Sequence, residues 1–392
     1  MDQTSRNSRP ALHSEASGDF AHEMLREIHE QPQALGRTLQ LYLMGNALRP
    51  ETIQRLKEWA RRNPSGRGDH VVIAASGSSR HAGLAGEMWL EELSGLEVDV
   101  EYASEYNFGD HPSQGDSACL VLSQSGETSD TLGAMRDAKR HGWKTLAITN
   151  AANSTMAREA DVSMPLGAGP ERAIPATKSF MCQLAALYIL AICEGVSAGQ
   201  IDEGLLRALI AELWAQCDLM ERQLAGWQTR MAGLARKYAG ASTFLFLGSG
   251  IHYAIAREGA LKLKEASYVH AEGYPAGELR HGPNALVSEA VPVVAIATVD
   301  ARVAASVQRH EKTLRLLRDL KAQGARVIAI ANAGDEAVAE LATDVVAVEE
   351  APEHLLPLTE VVPLQLFAYF MALERGVNMD RPRNLTKAVV EQ

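Results

Sequence analysis

Short apolar runs without polar alternation recur along this chain. The segments Val71–Ala75, Ala118–Leu122 and Phe244–Leu247 are entirely apolar, and each is followed by a polar turn that contains glycine. Strands buried on both faces of a parallel sheet have this composition, whereas strands with one solvated face alternate apolar and polar residues. Helices between such strands form right-handed crossovers. The pattern therefore predicts an α/β fold of doubly wound parallel sheets flanked by helices.

Longer segments predict the helices that flank and join these sheets. We expect helices around residues 49–61, 179–194 and 201–238. The apolar stretch from Phe180 to Cys193 is too short to span a bilayer and includes Gln183. A buried helix is therefore predicted there.

The strand and turn pattern occurs twice. Gly77 and Gly248 each follow an apolar run and precede a predicted helix, and they are 171 residues apart. Residues 142–150 and 324–332 also match each other, at an offset of 182 residues. Duplication of one α/β unit explains both matches, and each copy is predicted to run strand, glycine turn, helix, strand, helix, strand. Further pairs aligned at the first offset are His81 with His252 and Glu87 with Glu258.

The length and the repeat together predict two tandem αβα sandwiches. A chain of 392 residues is long enough for two domains. We expect residues 1–37 to form an N-terminal arm and linker-like segment, residues 38–200 the first sandwich, residues 201–372 the second, and residues 373–392 a C-terminal tail.

Charge and cysteine content narrow the class of protein. A net charge of −11 argues against a nucleic-acid or anionic-membrane partner, since both require a basic surface. The four cysteines form no C-x-x-C pair, and three of them lie in apolar runs. They are predicted to be reduced core residues of a cytoplasmic protein, not disulfides or metal ligands. Residues 1–19 have no apolar core, so no signal peptide is expected.

The segment Ser123–Thr128 (SQSGET) is the first candidate for chemistry. It follows a buried strand and precedes a helix predicted from about Asp130. Free backbone N–H groups, the helix dipole and the hydroxyls of Ser123, Ser125 and Thr128 suit a bound phosphate. The loop has no lysine and no G-x-x-x-x-G-K-[ST] pattern, so it is not a nucleotide P-loop. A phosphomonoester on a sugar fits it, and simple helix capping is the alternative.

The second copy lacks this loop. The apolar segment Val294–Val299 stands in its place and has no serine-rich turn. Retention of a phosphate loop in one copy only is expected when a duplicated ligand-binding fold loses its spare site. The asymmetry favours a functional role for the first loop.

The second copy supplies candidate groups for proton transfer instead. Lys262 and Glu265 share a helix face, with Glu258 one turn earlier, and His281 follows in a glycine- and proline-containing segment. Moving a proton between C1 and C2 of an open-chain sugar requires a base, a group that opens the ring and a cation that stabilises the intermediate. Taken singly these residues fit a surface ion pair and a structural loop. Lys387, in the C-terminal tail, could close over the substrate.

Taken together, these motifs resemble the sugar isomerase (SIS) family in duplicate. They resemble most closely the isomerase half of glutamine–fructose-6-phosphate aminotransferase, from about residue 20 to the end. The matching segments are EIHEQPQAL (27–35), SQSGETSDTL (123–132), ATKSF (176–180), EGALKLKEASYVHAEGYPAGELRHGP (258–283), VPLQLFAY (362–369) and DRPRNLTKAV (380–389).

The resemblance implies roles for individual residues. Glu265 would move the C1/C2 proton, His281 would assist ring opening, Lys262 would stabilise the intermediate and Lys387 would cover the sugar. In this family the histidine comes from the neighbouring subunit, which implies a homodimer, and the chemistry requires no metal or cofactor. The implied sugar-phosphate ligands are Gly77, Ser78, Ser79, Ser123, Gln124, Ser125, Thr128 and Ala176.

Departures from the family pattern shape the expected reaction. Residue 2 is Asp2, where the synthase has the cysteine nucleophile of a glutaminase domain, so we expect no use of glutamine. The resemblance then implies a stand-alone glucosamine-6-phosphate deaminase that forms fructose 6-phosphate and ammonia. A fructosamine-phosphate deglycase, another phosphosugar isomerase and a non-catalytic sensor are the alternatives. Ala176 and Thr386 differ from residues common in the family and bear on the identity of the sugar, and Pro275, between Glu265 and His281, bears on access to the site.

Overall fold

Two five-stranded parallel sheets form the framework of the protein. The computed structural model describes residues 20–57, 59, 70–106 and 117–387, so the first 19 residues of the predicted arm (residues 1–37) and the last five residues of the chain lie outside the described residues. The described chain begins with helices and a short antiparallel pair: α1 Glu23–His29, α2 Gln31–Tyr42, β1 Leu43–Met44, β2 Ala47–Leu48 and α3 Pro50–Lys57.

The first sheet has the strand order β4-β3-β5-β6-β7, and every neighbouring pair is parallel. Helices cross over between the strands, as the apolar runs predict. The elements of this copy are β3 His70–Ala75, α4 Gly77–Ser94, β4 Glu97–Tyr102, α5 Ala103–Tyr106, β5 Ser117–Ser123, α6 Ser129–Arg140, β6 Lys144–Thr149, α7 Thr155–Glu159 and β7 Val162–Pro165. Two long helices follow, α8 Lys178–Ser197 and α9 Glu203–Tyr238.

The second sheet repeats that arrangement, with the parallel order β9-β8-β10-β11-β12. In each copy the first strand lies between the second and third strands of its sheet. The elements are β8 Thr243–Gly248, α10 Ile251–Ser267, β9 His270–Pro275, β10 Val293–Ile296, α11 Ala304–Ala322, β11 Val327–Asn332, α12 Glu336–Leu341, β12 Asp344–Val348 and α13 Leu356–Glu374. Short 3-10 turns occupy Ala276–His281, Pro283–Leu286 and Glu353–Leu355.

The prediction of three strands per copy was wrong, because each sheet has five. The strands found by sequence are the three central ones, and those missed are the edge strands β4, β7, β9 and β12. The edge strands β4 and β9 carry charged or histidine side chains, and β7 and β12 have only four and five residues. An edge strand is half solvated and is kept short or polar, so a search for apolar runs passes over it.

One continuous core joins the inner faces of the two sheets. It contains α4, α8, α10 and α13, while separate clusters bury the outer face of each sheet under its own helices. This arrangement confirms the two αβα sandwiches. All strands of the first sheet fall within predicted residues 38–200 and all strands of the second within 201–372. The domain bounds themselves stay predictions.

Two helices of the core are apolar on every side. Lys178–Ser197 and Glu353–Glu374 have the length and composition of a membrane span, but 94% of the most apolar window of each is buried inside the protein. A helix with no polar face is expected in the core of a large protein.

A glycine brings the helices together in each copy. A Cβ on Gly86 in α4 would lie 2.9 Å from Leu187 of α8, and a Cβ on Gly259 in α10 would lie 2.8 Å from Leu364 of α13. Helices α4 and α10 also pack against each other, with His81 of α4 hydrogen-bonded to Glu258 of α10, and the first candidate residues are found beside this contact.

Candidate active site

The hydroxyl loop and the start of α4 meet at the carboxyl ends of β3 and β5. These strands are hydrogen-bonded neighbours, with Ala75 opposite Leu122, and their connections run in opposite directions to β4 and β6. Such a reversal of strand order opens a crevice at the carboxyl edge of the sheet, where α/β proteins bind ligands. The predicted phosphate ligands of the first copy are therefore brought to one crevice.

Hydroxyl groups converge within the loop. The Oγ of Ser123 accepts a hydrogen bond from the N–H of Gly126 at 3.0 Å and lies 3.1 Å from Thr128 Oγ1 and 3.4 Å from Ser125 Oγ. Thr128 is the N-cap of α6. The three hydroxyls are thus fixed beside a helix N-terminus, which favours an anion.

Glycine is required within this loop at residue 126. Gly126 has φ +67°, and a Cβ there would overlap Ser154 Oγ. The backbone of Gln124 is held from the next strand, because its carbonyl accepts the N–H of Asn150 at 3.2 Å. The loop is therefore shaped before any ligand arrives.

The start of α4 forms the other wall of the crevice. Gly77 has φ +55°, which a residue with a side chain rarely adopts. Ser79 is buried, and its Oγ accepts a hydrogen bond from Gln183 Nε2 at 2.9 Å. Because that oxygen already accepts from Gln183, its own proton is free to donate to a ligand. The hydroxyl of Ser78 donates toward Glu258 of the second copy.

Charged side chains of α10 form a buried row beside this wall. Lys262 is fully buried, and its Nζ lies 2.5 Å from Glu265 Oε2 and 3.4 Å from Glu258 Oε1. Glu265 is partly exposed, with 23% of its side-chain surface accessible. The predicted pairing of Lys262 with Glu265 therefore occurs in the structure.

Glu258 joins the two copies. It is fully buried, and its Oε2 lies 2.8 Å from Nδ1 of His81 in α4. Burial alone would raise the pKa of Glu258, but the Lys262 ammonium and the His81 hydrogen bond hold it below the usual value. Burial lowers the pKa of His81, against the opposing effect of Glu258. A neutral imidazole that donates to a carboxylate fits both directions.

The pKa of Lys262 is raised by its carboxylate neighbours. Burial acts in the opposite direction, but Glu258, Glu265 and the more distant Glu171 together keep the ammonium protonated. Glu171 is an acidic residue that the sequence reasoning missed. Its side chain is fully buried and accepts hydrogen bonds from the N–H of Thr177 at 3.0 Å and from Ser179 Oγ at 2.7 Å.

The C-terminal tail docks on this carboxylate. Lys387 Nζ lies 2.8 Å from Glu171 Oε2 and 2.5 Å from the carbonyl oxygen of Ala173. Ala176, another predicted ligand, lies half-buried in the same loop. Lys387 therefore contacts Glu171 from the tail, and the Lys262 ammonium of α10 interacts electrostatically with the same carboxylate.

His281 is not brought to this cluster within one chain. It ends the exposed 3-10 turn Ala276–His281, and the described residues offer its imidazole no hydrogen bond or ion pair. The arrival of this histidine from a neighbouring subunit stays a prediction.

The crevice of the second copy is filled by protein side chains. Glu353 accepts hydrogen bonds from Arg309 Nε at 2.9 Å and Ser306 Oγ at 2.6 Å, and it lies 3.1 Å from His252 Nε2. The pKa of His252 is raised because the carboxylates of Glu360 and Glu353 outweigh its burial. Fixed carboxylates occupy the positions that an anionic ligand would need.

The described part of the chain offers no group of side chains suited to hold a metal ion, and its cysteine thiols are buried. Among those residues, no three His, Cys, Asp or Glu side chains are arranged to hold a metal ion. The four cysteines are free and buried, and burial raises the pKa of Cys119 to about 12.

The fold, with a crevice between β3 and β5 at the carboxyl edge of its first sheet, is that of an SIS-domain protein. Residues 67–193 and 237–375 match the SIS domain family, and the chain belongs to that family. Within it, the chain is similar to the isomerase half of glutamine–fructose-6-phosphate aminotransferase. It is 40% identical over 378 residues to the enzyme of Aquifex aeolicus and 41% identical over 386 residues to that of Thermus thermophilus.

These alignments cover 96% of this chain and 59% and 60% of the relatives, so the chain spans about three fifths of their length. The C-terminal domain of the aminotransferase from Francisella tularensis has a TM-score of 0.84 at 32% identity, covering 93% of this chain and 99% of that one. Glucosamine-6-phosphate deaminase from Thermotoga maritima has the same fold, with a TM-score of 0.69 at 24% identity, covering 94% of this chain and 100% of that one.

Proposed function

We propose that this chain converts glucosamine 6-phosphate and water to fructose 6-phosphate and ammonia. The observation that carries the proposal is the row of Glu265, buried Lys262 and the docked Lys387 beside a lysine-free hydroxyl loop. The comparisons support the proposal, because nearly the whole chain is similar to part of enzymes that form amino-sugar phosphates.

Binding begins at the hydroxyl loop. Ser123, Ser125 and Thr128 donate to the phosphate oxygens together with the N-terminal amides of α6. Ser79 adds a donor from the opposite wall, and Gly77 lets the backbone approach the ligand closely. The phosphate then fixes the sugar chain so that C1 and C2 extend toward α10.

Ring opening comes next and moves the proton of the C1 hydroxyl to the ring oxygen. His281 of the partner subunit assists this transfer, so the working unit is a homodimer with shared sites. The product is an open-chain aldehyde that carries the amino group on C2.

Glu265 then acts as the base. It removes the proton from C2, and the electrons shift toward the C1 oxygen to give an enol-type intermediate. The Lys262 ammonium stabilises the negative charge that develops on that oxygen. The C1 oxygen takes up a proton as the amino group gives one up, and return of the abstracted proton to C1 gives a ketimine at C2. Water hydrolyses this ketimine to the ketone and ammonia.

Glu265→Gln should abolish turnover and leave sugar-phosphate binding nearly unchanged, because the base acts only in the transition state. Ammonia and fructose 6-phosphate are followed together, and binding is measured by calorimetry. The matched control is Glu311→Gln, which changes an exposed carboxylate on α11. Formation of both products in equal amounts by the native chain is the expected result. Normal turnover by Glu265→Gln would remove that residue from its role.

The shared site has its own test. Glu265→Gln and His281→Ala chains, each inactive alone, should recover activity when mixed, because one site of the hybrid dimer keeps both native residues. Recovery approaching a quarter of the native rate is expected for random pairing, and no recovery would place the histidine in its own subunit's site.

The alternatives predict other products. A deglycase would release an amine from a fructosamine phosphate, and a simple isomerase would exchange the C2 proton of glucose 6-phosphate without ammonia. A sensor requires the loop but not the base, so the pairing of buried Lys262 with the partly exposed Glu265 counts against it.

A further inference from the structure

Helix α1 buries a carboxylate that the proposed chemistry does not use. Glu27 has no exposed surface. Its Oε1 accepts the N–H of Arg172 at 2.5 Å, and its Oε2 accepts the N–H of Ala173 at 3.2 Å. The nearest guanidinium, that of Arg26, is 3.8 Å away. A buried carboxylate is costly unless it satisfies other buried groups, and here those groups are two backbone amides of one loop.

The loop held by Glu27 is the one that receives the tail. The N–H of Ala173 donates to Glu27, and the carbonyl of Ala173 accepts Lys387 Nζ. Glu171, two residues earlier, accepts the same ammonium at 2.8 Å. Residues 171–173 therefore lie between α1 on one side and the tail on the other.

Helix α1 also contacts the tail directly. The N–H of Glu23 donates to Asp380 Oδ1 at 3.2 Å, seven residues before Lys387. Between these contacts the N–H of Arg383 donates to Tyr268 Oη at 2.7 Å, and its guanidinium lies over the same ring. Tyr268 ends α10, three residues after Glu265. The tail thus runs from α1, past the end of the catalytic helix, to the Glu171 loop.

We propose that Glu27 is a positioning residue that fixes the loop at residues 171–173 so that Lys387 is held over the sugar. This inference rests on the proposed function of Lys387. Without Glu27 both amides would lose their acceptor, and because the amide of Ala173 is buried, the loop would move to find another one. Both oxygens that hold the ammonium would move with it.

Four charged groups surround Glu27: Arg26 on its own helix, Glu171 in the loop, Lys178 at the start of α8 and Lys387 in the tail. Glutamine at residue 27 keeps one oxygen acceptor and adds an N–H₂ donor that faces a backbone N–H. The Glu27→Gln variant therefore fills the same volume but can hold only one of the two amides.

The first test is independent of catalysis. The rate at which an amine-reactive reagent labels Lys387 is measured by mass spectrometry in the native chain, Glu27→Gln and the control Glu51→Gln on α3. Release of the loop should raise the labelling rate of Lys387 about tenfold or more in Glu27→Gln alone. An unchanged rate in a folded variant would overturn the proposal. If Glu27→Gln does not fold, Glu27→Asp, which keeps the charge but shortens its reach, replaces it.

The second test is kinetic. A displacement of about 1 Å costs about 10- to 100-fold in rate, so kcat of Glu27→Gln should fall in that range. Because Glu27 acts through Lys387, the double variant with Lys387→Met should be no slower than Lys387→Met alone. Additive losses would overturn the proposal. A native chain inactive on glucosamine 6-phosphate would refute the proposed reaction but not the positioning, which the labelling rate tests separately.

Discussion

Replacing Lys262 with methionine tests whether the buried charges of α10 form one unit. The variant removes the ammonium between Glu258 and Glu265 and keeps a side chain of similar length. At 3.4 Å and an effective dielectric constant of about 20, the attraction between Lys262 and Glu258 is about 5 kcal/mol. Glu265 contributes less because it is partly exposed.

Loss of one partner of a buried ion pair generally costs about 3–5 kcal/mol, since the other charge is left without compensation. Glu258 then keeps the hydrogen bonds from His81 and Ser78 but loses its ammonium partner, so the cost of Lys262→Met should fall in that range. The cost should shrink as the pH falls, because His81 can then take up a proton and pair with Glu258. Adding Glu258→Gln should recover most of the loss at neutral pH.

The assay is urea unfolding followed by circular dichroism at pH 7.5 and pH 5.5. Lys264→Met is the matched control, because Lys264 is exposed on the same helix and should change stability by no more than about 0.5 kcal/mol. Equal midpoints for Lys262→Met and Lys264→Met would refute the reasoning, and so would a cost that does not respond to Glu258→Gln. Either result would mean that Glu258 is not ionised in the folded protein.

Two further predictions concern the loop and the first helix. Gly126→Ala should weaken sugar-phosphate binding about tenfold or more, because its φ of +67° and the overlap with Ser154 exclude a Cβ, and calorimetry would contradict this by giving an unchanged Kd. Burial raises the pKa of Glu27 from 4.5 to about 7, so the stability contributed by its neutral form is complete below pH 4.5 and lost as the pH rises through about 7. The stability of Glu27→Gln relative to the native chain should therefore rise as the pH increases from 5 to 8, and a relative fall over that range in urea unfolding would contradict the assignment.

The three central strands of each sheet could be predicted from the sequence, because burial on both faces gives a strand a continuous run of apolar residues. The apolar runs of β3, β5 and β8 are continuous, and the helix after each begins at its glycine turn. Edge strands have no such run of apolar residues. Strand β9, for example, has the sequence of a polar loop, and only its pairing with β8 identifies it as a strand. The periodicity of a sequence shows whether the two faces of a segment are buried, but it does not show which strand the segment pairs with.

The same limit separates the site residues that were predicted from those that were missed. Lys262 and Glu265 are one helical turn apart, so their contact follows from spacing alone. Glu171 meets Lys387 across 216 residues, and Glu27 meets Ala173 across 146. No local pattern distinguishes such carboxylates from exposed ones. The absence of the hydroxyl loop from the second copy could be predicted from the sequence. The presence of Glu353 in the crevice of that copy could not.

The hydrogen bond from His81 to Glu258 has a consequence for the history of this chain. In the second copy the aligned histidine, His252, contacts Glu360 of its own copy, whereas His81 reaches across to the other copy. An ancestral unit expressed alone would expose the face of α4 that now buries His81 and would leave that imidazole in water. Two halves made as separate chains would each expose part of the core that now joins the copies, so we expect them to be less stable apart than together.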